Sequence, residues 1–179
     1  MKAKKGNLAR RDFMIATVAA GTAVLAGCKS AQRGGWEFLS EESAGTLKAI
    51  CDQIIPADDF PSASGAGVLD YIDRQLVRHY RRHRKTYSEG LEQADRISRQ
   101  RFDSNLESAS AEQQLAVVTA VEKEHPAFFE LVRQHTLEGY YGSPRHGGNR
   151  DAVSWRMVGI AEPPLLGRAQ YGQKKGSPS

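Results

Sequence analysis

The chain has 179 residues, 26% of them charged, and a formal net charge of +4. Five of its 25 Lys and Arg residues and one of its 21 Asp and Glu residues precede Cys28, so residues 28–179 hold twenty of each and are formally neutral. That balance excludes the basic domain with which a nucleic-acid binder displaces counterions from phosphates. Two cysteines, one of them at position 28, likewise exclude a cysteine-ligated iron–sulfur cluster or structural zinc.

Lys2, Lys4, Lys5, Arg10 and Arg11 precede an apolar run from Phe13 to Ala26, the plan of a secretory signal. The run is too short to span a bilayer as a helix and is weakened by Thr17, Gly21 and Thr22. Arg10 and Arg11 stand two residues ahead of Phe13, the twin-arginine export pattern used by cargo that folds before crossing. Leu25-Ala26-Gly27-Cys28 looks like a lipobox, in which Cys28 is acylated and becomes the mature N-terminus. Two or three acyl chains hold a protein on a membrane without a transmembrane helix. The next residue is Lys29; resemblance to lipoproteins of two-membrane bacteria implies that an aspartate there often marks inner-membrane retention, so its absence leaves the choice of membrane open. The expected location is the periplasmic side of the envelope, lipid-anchored. The expected organisation is a signal at 1–27, a lipidated tether at 28–38, one helical domain at 39–169 and a tail at 170–179.

Within the domain the apolar spacing predicts an all-α bundle of five or six helices. Ser40 caps a first helix that turns Leu47, Ile50, Cys51, Ile54 and Ile55 inward and stops at Pro56. A turn-rich linker, 57–67, leads to a second helix with Leu69, Ile72, Leu76 and Tyr80 on its inner face. The third runs from about Tyr87 to Glu107 through Leu91, Ala94, Ile97, Phe102 and Leu106. Ser110 and Gln113 form a capping box ahead of Leu115, Val118 and Val121. Pro126 opens a helix that buries Phe128, Leu131, Val132 and His135, and a last short helix starts at Asp151 and contains Trp155 and Val158.

Chemistry-bearing candidates are few. Gly65-Ala66-Gly67 precedes a helix as a dinucleotide turn does, but it follows a Pro/Ser loop, and Asp70 replaces the third glycine. Cys51 reads as a buried apolar residue, with an interchain disulfide as the alternative. His79 and His83 lie four apart without a matching carboxylate and amid positive charge, so no metal site is expected. The run Arg78–Lys85 reads as a solvated helix end with cations at the negative pole of the dipole, or as a docking patch for an acidic partner or lipid headgroups. Tyr140, Tyr141, Pro144, Arg145, His146, Gly147, Gly148 and Asn149 form a loop too dense in aromatic, basic and amide groups for a spacer. Such a loop makes an unusual local fold or contacts a partner.

Glu138-Gly139-Tyr140-Tyr141, Pro144, Gly147-Gly148-Asn149, Trp155 and Val158-Gly159 resemble the C-terminal signature of the gluconate 2-dehydrogenase subunit 3 family. Ile54-Ile55-Pro56-Ala57-Asp58, Gly65-Ala66-Gly67 and Asp70-Tyr71-Ile72-Asp73 resemble its first conserved stretch. His146 stands where an aromatic residue is usual in that signature, Ser154 where a glycine is, and Glu162-Pro163-Pro164 departs from a Pro-Gly ending. The resemblance implies a non-catalytic small subunit without a cofactor of its own. Its partner is a flavoprotein that carries FAD and oxidises sugars, sugar acids or alcohols, often beside a multihaem cytochrome c. Tyr140, Tyr141, Pro144, His146, Gly147, Gly148, Asn149 and Trp155 are the candidates for contact with that partner. Two other readings are a free-standing envelope lipoprotein that binds a ligand or scaffolds a complex, and a small enzyme built on His146 with Asp58 and Asp59.

Overall fold

A computed structural model describes residues 35–160. Arg10, Arg11, Phe13 and Cys28, with the tail, lie outside the described residues. Within them the chain forms six α-helices and no strand: α1 (Glu41–Ile54), α2 (Val68–Leu76), α3 (Arg84–Phe102), α4 (Ala111–Glu124), α5 (Pro126–Tyr141) and α6 (Val153–Met157). The fold is an all-α bundle, and no described helix is long and apolar enough to cross a membrane.

Helix α1 packs against α2, α3, α4 and α5, which explains its burial. Leu47, Ile50 and Cys51 are fully enclosed, and each large aliphatic side chain so buried contributes about 1.5–3 kcal/mol. The Ser40 side chain accepts from Ser43 N–H at the start of α1, and Ile55 ends it one residue before Pro56. At α4 the capping box is complete: Gln113 N–H donates to Ser110 Oγ and Ser110 N–H to Gln113 Oε1. Pro126 occupies the first turn of α5, where its missing N–H costs nothing.

Four expectations about the helices need correction. Helix α2 stops at Leu76, because the Gln75 carbonyl accepts from both Arg78 N–H and Tyr80 N–H and a 3-10 turn, Arg81–His83, follows. Tyr80 is therefore not on α2; it leaves the helix to stack on His135. Helix α3 begins at Arg84 and ends at Asp103, whose φ of 53° is left-handed, so Leu106 is buried from a turn. The buried Asp95 carboxylate holds that turn by accepting Leu106 N–H at 2.9 Å. On α4 the inner face is Gln114, Val117, Val118 and Val121, with Gln114 Nε2 donating to the Leu106 carbonyl, and Leu115, one position off that stripe, is 55% exposed. The last α-helix starts at Val153 after a 3-10 turn, Arg150–Ala152, and Val158 lies beyond it, exposed.

Candidate functional site

The glycine-rich loop between α5 and α6 is held from below by groups that the sequence places far away. Gly142 N–H donates to the Glu138 carbonyl and ends α5; a 3-10 turn, Pro144–His146, follows and closes on Gly147 at φ 105°. Asn149 is completely buried and serves both sides of the loop: its Nδ2 donates to the Gly142 carbonyl at 2.8 Å, and its Oδ1 accepts Ser154 N–H at 3.0 Å. The amide thereby ties the end of α5 to the start of α6. Trp155 Nε1 donates to the Tyr141 carbonyl and closes the same ring of contacts.

The two glycine motifs are halves of one joint. Gly67 sits at φ 81°, and a Cβ there would lie 3.0 Å from the Gly147 carbonyl oxygen and 3.4 Å from Arg150 Nη2. Arg150 N–H donates to the Ala66 carbonyl at 2.8 Å, and its guanidinium pairs with Asp70 at 2.8 Å. The N–H groups with which a dinucleotide turn would cradle a phosphate are used within this chain: Gly65 N–H donates to Ser62 Oγ, and those of Ala66, Gly67 and Val68 donate to the carbonyls of Ser62, Ser64 and Ala63. Tyr140 Oη donates to the Pro61 carbonyl and fixes the linker to α5. Burial would raise Asp52, but Ser64 N–H, Ser64 Oγ and Lys48 donate to its carboxylate and hold it below its usual range.

This arrangement sorts the candidate residues. Tyr140, Gly148 and Asn149 are buried and form the scaffold. Tyr141 and His146 are exposed, while Pro144, Gly147 and Trp155 are half-buried. With Val158 and Ile160, 61% and 57% exposed, Tyr141 and Trp155 make an apolar patch, joined by the Ile160 N–H bond to the Trp155 carbonyl. Arg145, Arg150 and Arg156 are exposed on the same segment. The Ser154 hydroxyl is buried without a hydrogen-bond partner. Asp58 accepts Phe60 N–H at 2.8 Å, a turn contact, and among the described residues no group of three or more His, Cys, Asp or Glu could hold a metal ion.

Two networks went unread in the sequence. The Asp73 carboxylate, buried on the inner face of α2, accepts the N–H groups of Glu37, Phe38 and Leu39 at 2.6, 2.9 and 2.8 Å and pins the entering chain. The signal was present: Asp73 follows Ile72 on a face otherwise made of Leu69, Ile72 and Leu76, and a carboxylate there needs donors. The second centres on His135, whose ring stacks on that of Tyr80, 3.9 Å away and nearly parallel, and whose Nδ1 bonds the Tyr87 hydroxyl at 2.9 Å. Glu138 accepts from Tyr80, Tyr71 and Gln134. Burial alone would raise Glu138, but these bonds hold it low.

Burial pushes His135 down to about 4 and the Cys51 thiol up to about 12. Cys51 is enclosed beside Thr136 Oγ1 at 3.3 Å, so the disulfide alternative lacks an accessible, ionisable thiol. His135 gives a pH dependence. It stays neutral in the folded protein while an unfolded histidine gains a proton near pH 6.5, so stability falls as pH drops from about 6.5 to about 4, by on the order of 2–3 kcal/mol. Urea unfolding across that range should show this slope, and His135→Gln should flatten it while lowering stability at neutral pH. Equal slopes would assign the dependence to the carboxylates.

A family model described as gluconate 2-dehydrogenase subunit 3 matches residues 41–162, which takes in α1 through α6 and the whole glycine joint. No curated protein and no solved structure matches the chain. The chain belongs to the gluconate 2-dehydrogenase subunit 3 family, a small-subunit family of a dehydrogenase complex.

Proposed function

We propose that this protein is the non-catalytic small subunit of a flavin-dependent dehydrogenase that oxidises sugars, sugar acids or alcohols on the periplasmic side of the envelope. It escorts the FAD-bearing catalytic subunit through the twin-arginine route and stays with it, held to the membrane by lipid on Cys28. The observation that carries this reading is the conjunction of family membership over residues 41–162 with Arg10-Arg11-Asp12-Phe13 at the head of the same chain. An export signal for folded cargo suits a partner that folds around its cofactor before crossing. A multihaem cytochrome c would then take the electrons onward.

The docking surface in this reading is the patch of Tyr141, Trp155, Val158 and Ile160 with its neighbours His146 and Arg145. Aromatic and arginine side chains over a rigid base are the groups that dominate protein interfaces. Asn149 and Gly148 act through the scaffold beneath.

The test replaces Arg10 and Arg11 by Lys, which keeps the charge while weakening recognition by the export receptor. The expected result is that this chain and the catalytic subunit both remain in the cytoplasm and dye-linked sugar or alcohol oxidation disappears from membranes and periplasm. Normal export of every flavoprotein dehydrogenase in that strain would overturn the proposal.

A further inference from the structure

The basic stretch Arg78-His79-Tyr80-Arg81-Arg82-His83-Arg84-Lys85 takes no part in the loop site, yet it is the strongest local departure from neutrality in residues 28–179. It is only in part the solvated helix end expected from its charges: it forms the connection between α2 and α3, and Arg84 and Lys85 begin the next helix. Only two of its cations serve the end of α2, where Arg84 Nε donates to the Leu76 carbonyl at 2.7 Å and Arg81 Nε to the Val77 carbonyl at 2.6 Å. Tyr80 turns inward onto His135 and Glu138, which fixes the backbone of the connection. Arg78, His79, Arg81, Arg82 and Lys85 are left exposed. Among the described residues no carboxylate pairs with Arg78, Arg81 or Arg82, and Lys85 has only Glu89, at 3.7 Å and largely in solvent.

The position of this turn supplies the second half of the argument. Asp73 pins Glu37, Phe38 and Leu39 beside the last turn of α2, and the Arg84 guanidinium lies 5.3 Å from the centre of the Phe38 ring. The segment by which the chain enters the fold and the basic connection therefore meet at Phe38. Cys28 is ten residues before Phe38, a separation that even full extension limits to about 35 Å. Glu37 and Glu41, also exposed, carry the opposite sign, which leaves the turn rather than the entering segment to face anions.

We propose that the Arg78–Lys85 turn is a docking surface for the phosphates of anionic lipid headgroups, and that it sets how the anchored domain sits on the membrane. The inference rests on the anchor at Cys28 proposed above. Acyl chains fix a protein to a bilayer without fixing its orientation, and a basic patch beside the tether adds the second contact.

The experiment uses the full chain with Cys28→Ala, so that no acyl chain contributes, and compares it with the same chain carrying Arg78→Gln, Arg82→Gln and Lys85→Gln. The leader is common to both, so the difference belongs to the turn. Each basic side chain near an anionic surface strengthens partitioning by about fivefold, so the triple variant should lose roughly 100-fold in binding to phosphatidylglycerol-containing vesicles. Neither chain should change on pure phosphatidylcholine vesicles, and an Arg78→Lys, Arg82→Lys variant should bind as the parent does. Should the triple variant fail to fold by circular dichroism, Lys85→Gln alone is read, with a loss of about fivefold. Equal partitioning of a folded variant and parent would overturn the proposal. So would unchanged vesicle binding with loss of the co-purifying catalytic subunit, which would give the turn to a protein partner. Acylation is read separately, by fatty-acid labelling of the native chain, so failure of the anchor and failure of the turn are told apart.

Discussion

Gly148→Ala should destabilise the domain by about 3 kcal/mol or more, although it adds a single methyl group. A Cβ at this position would collide with the Gly139 carbonyl oxygen and come within 2.9 Å of the Gly139 carbonyl carbon. Backbone meets backbone here, so no rotamer change can relieve the clash. Gly139 is itself packed against Tyr71, whose ring carbon would lie 2.9 Å from a Cβ on Gly139, which opposes a shift of α5. The loop must lift off α5, which breaks the two Asn149 bonds and the Arg150 N–H bond to the Ala66 carbonyl. Urea unfolding and assembly with the catalytic subunit should both suffer. A variant with the parent's stability would show that the loop does not sit on α5 as described.

The second large effect is expected at Asp73, which is 4% exposed and accepts three backbone N–H groups. Asp73→Ala removes every acceptor and strands the Leu39 N–H in the interior, a loss of about 3 kcal/mol. Asp73→Asn keeps one carbonyl oxygen in place, so its loss should be smaller, about 1–2 kcal/mol. Faster amide exchange at Phe38 and Leu39 than in the parent should accompany both. Equal effects of the two substitutions would mean that the charge, rather than the number of acceptors, holds the entering chain.

What the sequence discloses is local. Ser40, the Ser110–Gln113 box and Pro126 act on backbone groups within a turn of themselves, and each stands where its chemistry predicts a helix start. The ends of α2 and α3 are not legible in the sequence because contacts beyond the helix decide them. Tyr80 leaves the helical path for a stack with His135, and Asp95 reaches across to Leu106. Apolarity alone does not give the inner face of α4: Leu115 is exposed, and the stripe 114, 117, 118, 121 turns on Gln114, whose amide finds the Leu106 carbonyl. The loop was legible as a place of consequence and not as a structure. Nothing in the spacing says that Gly67 and Gly147, eighty residues apart, close on one another, or that Asn149 is enclosed while Tyr141 is not. The resemblance to the family named both segments; only the packing shows that they form one joint.

The central claim is that this subunit carries a flavoprotein and does no chemistry itself. Its most direct test is affinity purification of the tagged full chain from native membranes, with the flavin absorbance and dye-linked dehydrogenase activity of the product measured before and after the subunits are separated. The account predicts a second, larger chain that holds all of the FAD and sugar or alcohol oxidation in the associated fraction, with neither in this chain once separated. Recovery of this chain alone, without flavin and without activity, or with activity that stays with it after separation, would contradict it.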